Sequence, residues 1–268
     1  MQPRLEPAHA ARLERNLSQV RERIASCARA AGRDPDAVEL VAVTKTVGLA
    51  TCAALLELGA REFGENRAEA LERKHAAFAS APAAPRWHYI GHLQRNKARR
   101  VLQAADVVHS IDSPRLLEAL ERICAEEGLR RRGYVQVKLW PEESKGGLDP
   151  AELERFLDAA ARCRWLALEG LMTMAPILED EDAGRRAAAE VFARCADLAG
   201  AHSARFPGGC RLSMGMSGDY DLAIAAGAHV VRVGSVLFEG LPADTRGAQD
   251  ARAEGADGRM ASGSEDAG

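Results

Sequence analysis

Lys45 stands directly after a short apolar run, LVAVT (40–44), whose β-branched residues are typical of a buried strand. Only five of the 36 basic residues are lysines, so an amine is a rare group in this chain. Arginine stays protonated, whereas a desolvated lysine can be neutral near pH 7 and form a Schiff base with an aldehyde or ketone. A strand that simply ends at the surface is the plainer interpretation, and position alone favours it.

The other four lysines are weaker candidates for this chemistry. Lys74 and Lys97 fall on predicted helices with polar neighbours, Lys138 lies within a predicted strand, and Lys145 lies in a glycine-rich loop. The sequence therefore favours Lys45 as the reactive amine.

A second candidate feature is the segment LSMGMSGDYDLAIAAGAHVVRVGS (212–235), which has small residues at the ends of two consecutive predicted strands. Ser217 is predicted to begin a short helix, and backbone N–H groups at a helix N-terminus bind phosphate. Gly234 and Ser235 follow the next strand and can add further N–H groups. Either segment alone reads as ordinary turn chemistry. Together with a strand-end lysine, they point to a phosphorylated aldehyde, and hence to pyridoxal 5'-phosphate.

These groups meet only if the fold brings strand ends together. Eight apolar, strand-like runs alternate with helical patterns: 38–44, 61–64, 86–91, 107–111, 133–139, 166–173, 210–214 and 229–233. Such alternation predicts parallel βα units, and the count of eight favours a closed (β/α)8 TIM-type barrel with its site at the strands' carboxyl ends. An open doubly wound sheet is the alternative, but no G-x-G-x-x-G follows the first strand.

The ends of the chain extend beyond this pattern. An amphipathic helix is predicted over residues 7–31, ahead of the first strand, because apolar residues recur there at spacings of three and four. From about 241 the composition has almost nothing to bury, so we divide the chain into a barrel domain (1–240) and a disordered tail (241–268).

Composition narrows the classes of function. The 268 residues are 47% hydrophobic with a net charge of −3, which gives no general attraction to nucleic acid or anionic membrane. No apolar run approaches the roughly 18 residues of a spanning helix, and the N-terminus lacks a signal-peptide core. Six widely spaced cysteines suggest neither a zinc site nor a disulfide framework. We therefore expect a cytoplasmic protein with no metal, nucleic-acid or membrane partner.

Several motifs in one order resemble those of the pyridoxal phosphate homeostasis proteins, single-domain relatives of the alanine racemase barrel. The resemblance runs from about residue 10 to 240. It rests on AVTKT, FGENRAEA, WHYIGHLQRNKAR, HSIDSPRL, SKGGL, EGLMTMAP, LSMGMSGDYDLAIAAG and VVRVGSVLFEG. Each motif alone would be weak, but the ordered set is specific.

The resemblance implies roles for individual residues. Lys45 matches the lysine that bears the cofactor, Asn66 the asparagine near its ring, and Arg232 the arginine that faces the pyridine nitrogen. The phosphate-binding positions are matched by Ser213, Ser217, Gly234 and Ser235. Met172, at the end of the sixth predicted strand, completes the predicted cofactor contacts. No catalytic residue is assigned.

Arg232 also bears on what the cofactor could do. A cation at the ring nitrogen can only donate, so that nitrogen stays unprotonated and the ring is a poor electron sink. The resemblance implies a carrier with a role in intracellular vitamin B6 and amino-acid homeostasis, whose partners could include apo-forms of pyridoxal-phosphate enzymes.

Two enzymatic alternatives stay open. A pyridoxal-phosphate-dependent amino-acid racemase needs a second acid/base on the far side of the cofactor, and after the barrel pattern only the tail follows to supply it. A Schiff-base aldolase without cofactor predicts a colourless protein.

Overall fold

Eight parallel strands hydrogen-bond in chain order and close into a barrel, with the last strand paired to the first. The computed structural model describes residues 4–141 and 146–242. Lys145 and all but the first two residues of the predicted tail lie outside the described residues. The closed barrel confirms the (β/α)8 prediction and is incompatible with an open doubly wound sheet.

The strands are β1 (Glu39–Val43), β2 (Glu62–Glu65), β3 (Arg86–Tyr89), β4 (Val107–Ile111), β5 (Arg131–Gln136), β6 (Leu166–Met172), β7 (Arg211–Ser213) and β8 (Val230–Val233). The α-helices are α1 (Pro7–Ala30), α2 (Leu49–Glu57), α3 (Ala68–Phe78), α4 (Ala98–Ala104), α5 (Pro114–Glu127), α6 (Leu153–Ala160), α7 (Glu181–Ala201) and α8 (Tyr220–Ala225). Short 3-10 helices cover Pro35–Ala37, Arg95–Lys97, Pro150–Glu152, Ser203–Arg205 and Ser235–Phe238.

Helices cover the outside of the sheet and side chains fill its inside, so the strands are nearly continuous apolar runs. The inner layer contains Val41, Val107, Tyr134, Met172 and Val230, all buried. A larger core lies between the sheet and the helices. Every predicted strand run overlaps an observed strand, and the ends differ by no more than three residues.

Helix α1 occupies the place of an eighth outer helix. β8 is followed only by the 3-10 helix Ser235–Phe238, and α1 packs against that helix, α8 and α2. Its apolar face, Leu13, Leu17, Val20 and Ile24, is buried; each such side chain contributes about 1.5–3 kcal/mol. Asn16 Nδ2 donates to the carbonyl oxygens of Leu237 and Glu239, at 3.0 Å each, and ties α1 to the chain after β8.

Capping side chains begin the helices that lead out of the fourth and fifth strands. Ser113 Oγ accepts from the Leu116 amide, and Pro114 is the first residue of α5. Asp149 Oδ1 accepts from the Ala151 amide at the start of the 3-10 turn that runs into α6.

The six cysteines are free thiols, three of them buried. Burial raises the pKa of Cys195 and of Cys210 to about 12, so these thiols are neutral packing groups at physiological pH. Among the helices of residues 4–141 and 146–242, none has the length and apolar content that crossing a membrane requires.

Candidate functional site

A cavity of about 1010 Å³ opens at the carboxyl ends of the strands, where a (β/α)8 barrel carries its site. Six of the eight residues predicted as cofactor contacts line it: Lys45, Asn66, Ser217, Arg232, Gly234 and Ser235. Three of them follow β1, β2 and β7, Arg232 lies within β8, and Gly234 and Ser235 follow β8. The fold therefore brings together groups that are up to 190 positions apart, from Lys45 to Ser235.

Met172 and Ser213 do not line the cavity. Met172 is packed in the inner core with Tyr134, and Met174, two residues later, lines the cavity instead. Ser213 is fully buried, and its hydroxyl lies 2.6 Å from Arg232 Nη1. The strand period of two explains both placements, because each side chain lies one layer deeper in the barrel than the cavity residues. Direct contact of either residue with a cofactor stays a prediction.

The backbone just before Lys45 is held by a buried polar cluster. Lys74 Nζ, on α3, donates to the Thr44 carbonyl at 2.8 Å and to Glu65 Oε1 at 2.6 Å. The Thr44 hydroxyl donates to the same carboxylate oxygen at 2.5 Å. Lys74 is only 1% exposed, whereas the Lys45 side chain is exposed in the cavity mouth. The cluster fixes the strand end, and the Lys45 amine remains free to reach a ligand.

Asn66 is positioned by a close approach of two strand ends. A Cβ on Gly91, after β3, would lie 2.2 Å from the Asn66 carbonyl oxygen, so only glycine fits there. Both residues line the cavity. Any side chain at position 91 would therefore displace the Asn66 backbone.

Four backbone N–H groups at the cavity form a candidate anion cradle. The amides of Ser217, Gly218, Ser235 and Val236 have no acceptor in the part of the chain that the structure describes. The Ser217 hydroxyl accepts from the Gly234 amide at 3.1 Å and joins the two halves of the cradle. Unpaired N–H groups from consecutive residues favour a bound anion.

The sequence predicted a helix start at Ser217, but the Ser217 half of the cradle is a turn, whereas the Ser235 half is the start of the 3-10 helix Ser235–Phe238. Helix α8 begins at Tyr220, three residues after Ser217, and Asp219 Oδ1 accepts from the Met216 amide at 2.6 Å. Gly215, at φ +94°, turns the chain before it. The hydrogen bond between Met216 and Asp219 and the positive φ of Gly215 shape this turn, and the helix begins after it. Burial raises the pKa of Asp219.

Arg185, on α7, contacts this turn from the outside. It was not identified as a site residue from the sequence. Its guanidinium donates to the Gly218 carbonyl at 3.2 Å and to Asp221 Oδ2 at 2.9 Å. Arg185 also lines the cavity, beside the segment Pro176–Leu178 that follows β6. Ile177 is 85% exposed at this rim.

Arg232 places a buried cation at the cavity. It is 4% exposed, and its guanidinium donates to Ser213 Oγ and, at 3.0 Å, to the Thr173 carbonyl. Burial lowers the pKa of Arg232 to about 10, so it remains charged at neutral pH. Within the described residues no carboxylate hydrogen-bonds it. The cation thus lacks a direct counter-ion and favours an electron-rich ligand atom.

The cavity lining is poor in groups that exchange protons near neutral pH. Its ionisable members among the described residues are Lys45, Glu181, Arg185, Asp219, Arg232 and Glu239, with no histidine, cysteine or tyrosine. Of the three tyrosines in the chain, Tyr89 donates to the His92 carbonyl, Tyr134 lies in the inner core and Tyr220 is on α8. The site can hold an anion and an electrophile, and beside Lys45 the described lining offers only carboxyl groups, Glu181, Asp219 and Glu239, as a second acid/base.

Fold and cavity together define a class of barrel: an amine, an anion cradle and a buried arginine at the carboxyl end of a (β/α)8 sheet. The family model described as "Alanine racemase, N-terminal domain" matches residues 12–242. A pyridoxal phosphate homeostasis protein of Mycobacterium tuberculosis is 35% identical over 249 residues, covering 87% of this chain and 94% of that protein. The chain belongs to the alanine racemase N-terminal domain family and, within it, to the pyridoxal phosphate homeostasis proteins.

Solved structures agree with this assignment. PipY of Synechococcus elongatus PCC7942, solved with PLP bound, is 34% identical with a TM-score of 0.71, covering 84% of this chain and 99% of PipY. The alanine racemase of Bartonella henselae is 18% identical with a TM-score of 0.64, covering 89% of this chain and 61% of the racemase. At that identity the racemase shows the shared fold alone.

Proposed function

We propose that this protein binds pyridoxal 5'-phosphate in the barrel cavity and serves vitamin B6 and amino-acid homeostasis by holding and releasing it, in the cytoplasm. One observation carries the proposal: Lys45, four unpartnered N–H groups and the buried Arg232 line the same cavity. The names of the related proteins and the PLP bound in PipY support the same ligand. Apo-forms of pyridoxal-phosphate enzymes are the proposed recipients.

The residues present fit each part of this ligand. The amides of Ser217, Gly218, Ser235 and Val236 suit the phosphate, because they offer donors that no protein group uses. Arg232 suits the pyridine nitrogen, which accepts a hydrogen bond when it is unprotonated. Lys45 is the proposed point of covalent attachment, and Asn66 is a neighbour of the ring. When bound, the cofactor supplies an aldehyde that reacts with amines.

The environment favours retention over turnover. Arg232 cannot protonate the ring nitrogen, so the electron-withdrawing form that amino-acid chemistry needs is not stabilised. The described cavity lining also lacks a histidine, cysteine or tyrosine to serve as a second base. Both features favour the carrier over the racemase.

Binding can be tested through the phosphate group. Ser235→Asp places a negative charge in the cradle and should weaken binding of pyridoxal 5'-phosphate at least tenfold, on the order of 1.4 kcal/mol. The affinity for pyridoxal, which lacks the phosphate, should fall much less. Ser203→Asp, exposed at the opposite end of the barrel, is the matched control. If Ser235→Asp binds pyridoxal 5'-phosphate as tightly as the wild type does, the proposed phosphate site is contradicted.

A further inference from the structure

A continuous line of polar side chains crosses the barrel interior beneath the cavity. Arg232 Nη1 lies 2.6 Å from Ser213 Oγ, which lies 2.8 Å from His109 Nδ1. His109 Nε2 lies 2.8 Å from His88 Nδ1, and His88 Nε2 lies 2.8 Å from Glu62 Oε2. All five residues are less than one-tenth exposed. The line begins at Arg232, the β8 residue that lines the cavity, and ends at Glu62, the first residue of β2, at the opposite end of the barrel.

Donor and acceptor chemistry allows only one direction for this line while both imidazoles are neutral. An ionised carboxylate only accepts, so His88 Nε2 carries the proton that Glu62 binds. His88 Nδ1 is then an acceptor, which requires His109 to carry its proton on Nε2. His109 Nδ1 accepts from the Ser213 hydroxyl, whose oxygen accepts from Arg232. Each group thus donates toward Glu62.

The surroundings hold the groups in these states. Burial, together with the positive charge of Arg232, keeps the pKa of His109 well below its usual value, so its ring is neutral. Burial alone would raise the pKa of Glu62, but hydrogen bonds from His88 and Arg86 outweigh it and lower that pKa. Tyr134 stacks on His109 with ring centroids 4.8 Å apart and fixes the ring plane.

We propose that Ser213, His109, His88 and Glu62 are positioning residues that hold the Arg232 guanidinium as a fixed donor at the cavity. Glu62 sets the direction of the whole line, because a neutral amide in its place could donate to His88 and reverse both tautomers. In the reversed line the Ser213 oxygen accepts from His109 as well as from Arg232, and its own proton competes with Arg232 for acceptors. The effect on ligand binding rests on the proposed function, since it acts through Arg232 on the cofactor ring.

The chain offers a matched pair of variants. Glu62 and Glu39 both accept from Arg86, but only Glu62 is hydrogen-bonded to His88. We expect Glu62→Gln to shift the visible absorption maximum of the bound cofactor and to weaken its binding by about tenfold, the scale on which outer-shell partners affect a binding group. Glu39→Gln should leave both unchanged. The same spectrum and affinity in the two variants would overturn the effect on binding.

A second measurement tests the line itself without the cofactor. Nitrogen-15 NMR of labelled histidine in the wild-type protein, freed of cofactor, should show two neutral imidazoles protonated on Nε2, assigned with His88→Gln and His109→Gln. An Nδ1-protonated or charged His109 would overturn the proposed direction. If the wild type binds no cofactor while the tautomers are as expected, the proposed function fails and the direction of the line stands.

Discussion

Lys74 Nζ lies 2.8 Å from the carbonyl oxygen of Thr44, the residue immediately before Lys45. The buried Lys74 therefore anchors the backbone next to the exposed Lys45. Glu65, on β2, balances the charge of Lys74, so the end of β1, β2 and α3 meet at this point. These hydrogen bonds restrain the strand end beside Lys45, and such a restraint suits a covalent attachment point.

Removing the Lys74 amine should destabilise the protein strongly. Lys74→Met leaves Glu65 buried without its cation, and breaking a buried pair in this way costs about 3–5 kcal/mol. We expect that loss in the free energy of unfolding from urea titration. Lys97→Met, on a surface pair with Glu69, should cost less than about 1 kcal/mol. Comparable losses in both variants would show that the buried cluster is not a structural anchor.

Arg185 should control the affinity of the anion cradle. Arg185→Ala removes donors to the Gly218 carbonyl and to Asp221, so the turn that carries the cradle amides loosens. We expect affinity for pyridoxal 5'-phosphate to fall several-fold. Arg23→Ala is the control, because Arg23 contacts Asp221 at 3.4 Å but not the turn. If both variants bind like wild type, the turn does not depend on Arg185.

His229 should make stability fall in mild acid. Burial, followed by the charges of Arg33 and Arg211, lowers the pKa of His229 from 6.5 to about 4 in the folded protein. Its Nδ1 accepts from the Leu212 amide at 3.1 Å, which requires the neutral ring. Between pH 6.5 and 4 this imidazole is protonated in the unfolded chain but neutral in the folded protein. The free energy of unfolding therefore decreases as the pH falls toward 4.

The slope is measurable by urea titration at several pH values. His229→Asn keeps an acceptor without a titrating group and should flatten the decrease between pH 6.5 and 4.5. His92→Asn, on an exposed residue, should leave the slope as in wild type. An unchanged slope in His229→Asn would contradict this origin of the pH dependence.

The cofactor-loaded protein should not racemise amino acids at enzymatic rates. Arg232 disfavours the electron-sink form of the ring, and the described cavity lining has no histidine, cysteine or tyrosine as a second base. Incubation with L-alanine and other L-amino acids, followed by chiral chromatography, should show no D-isomer. Turnover on the order of 1 per second or faster would refute the carrier function. Transfer of cofactor to an apo-enzyme without D-isomer would support it.

The barrel was predictable from the sequence because parallel strands covered on both faces are continuous apolar runs, and eight such runs alternate with helices. Lys45 was a candidate because it follows such a run and because lysine is rare in this chain, whereas the role of Arg232 came from the family resemblance. The carboxyl ends of barrel strands share one face, which brings both residues to one cavity.

The buried polar groups were harder to predict. Lys74 has polar neighbours along α3, and only the packing of that helix over Glu65 buries it. His88 and His109 stand inside apolar runs, WHY and VVHS, and only the closure of the barrel shows that their rings hydrogen-bond each other. Met174 lines the cavity and the predicted Met172 does not, because the exact strand end decides which residue reaches the cavity, and that end depends on pairing with β5 and β7.

The central claim is that Lys45 carries the cofactor. Pyridoxal 5'-phosphate should give the wild-type protein a visible absorption band, and borohydride should remove it by reducing the bond between cofactor and lysine. Peptide mapping by mass spectrometry should then find the reduced cofactor on Lys45. Lys45→Ala should show no band and an unchanged far-UV circular dichroism spectrum, whereas Lys97→Ala should behave as wild type. A retained band in Lys45→Ala, with the label on Lys138 or Lys145, would contradict the claim.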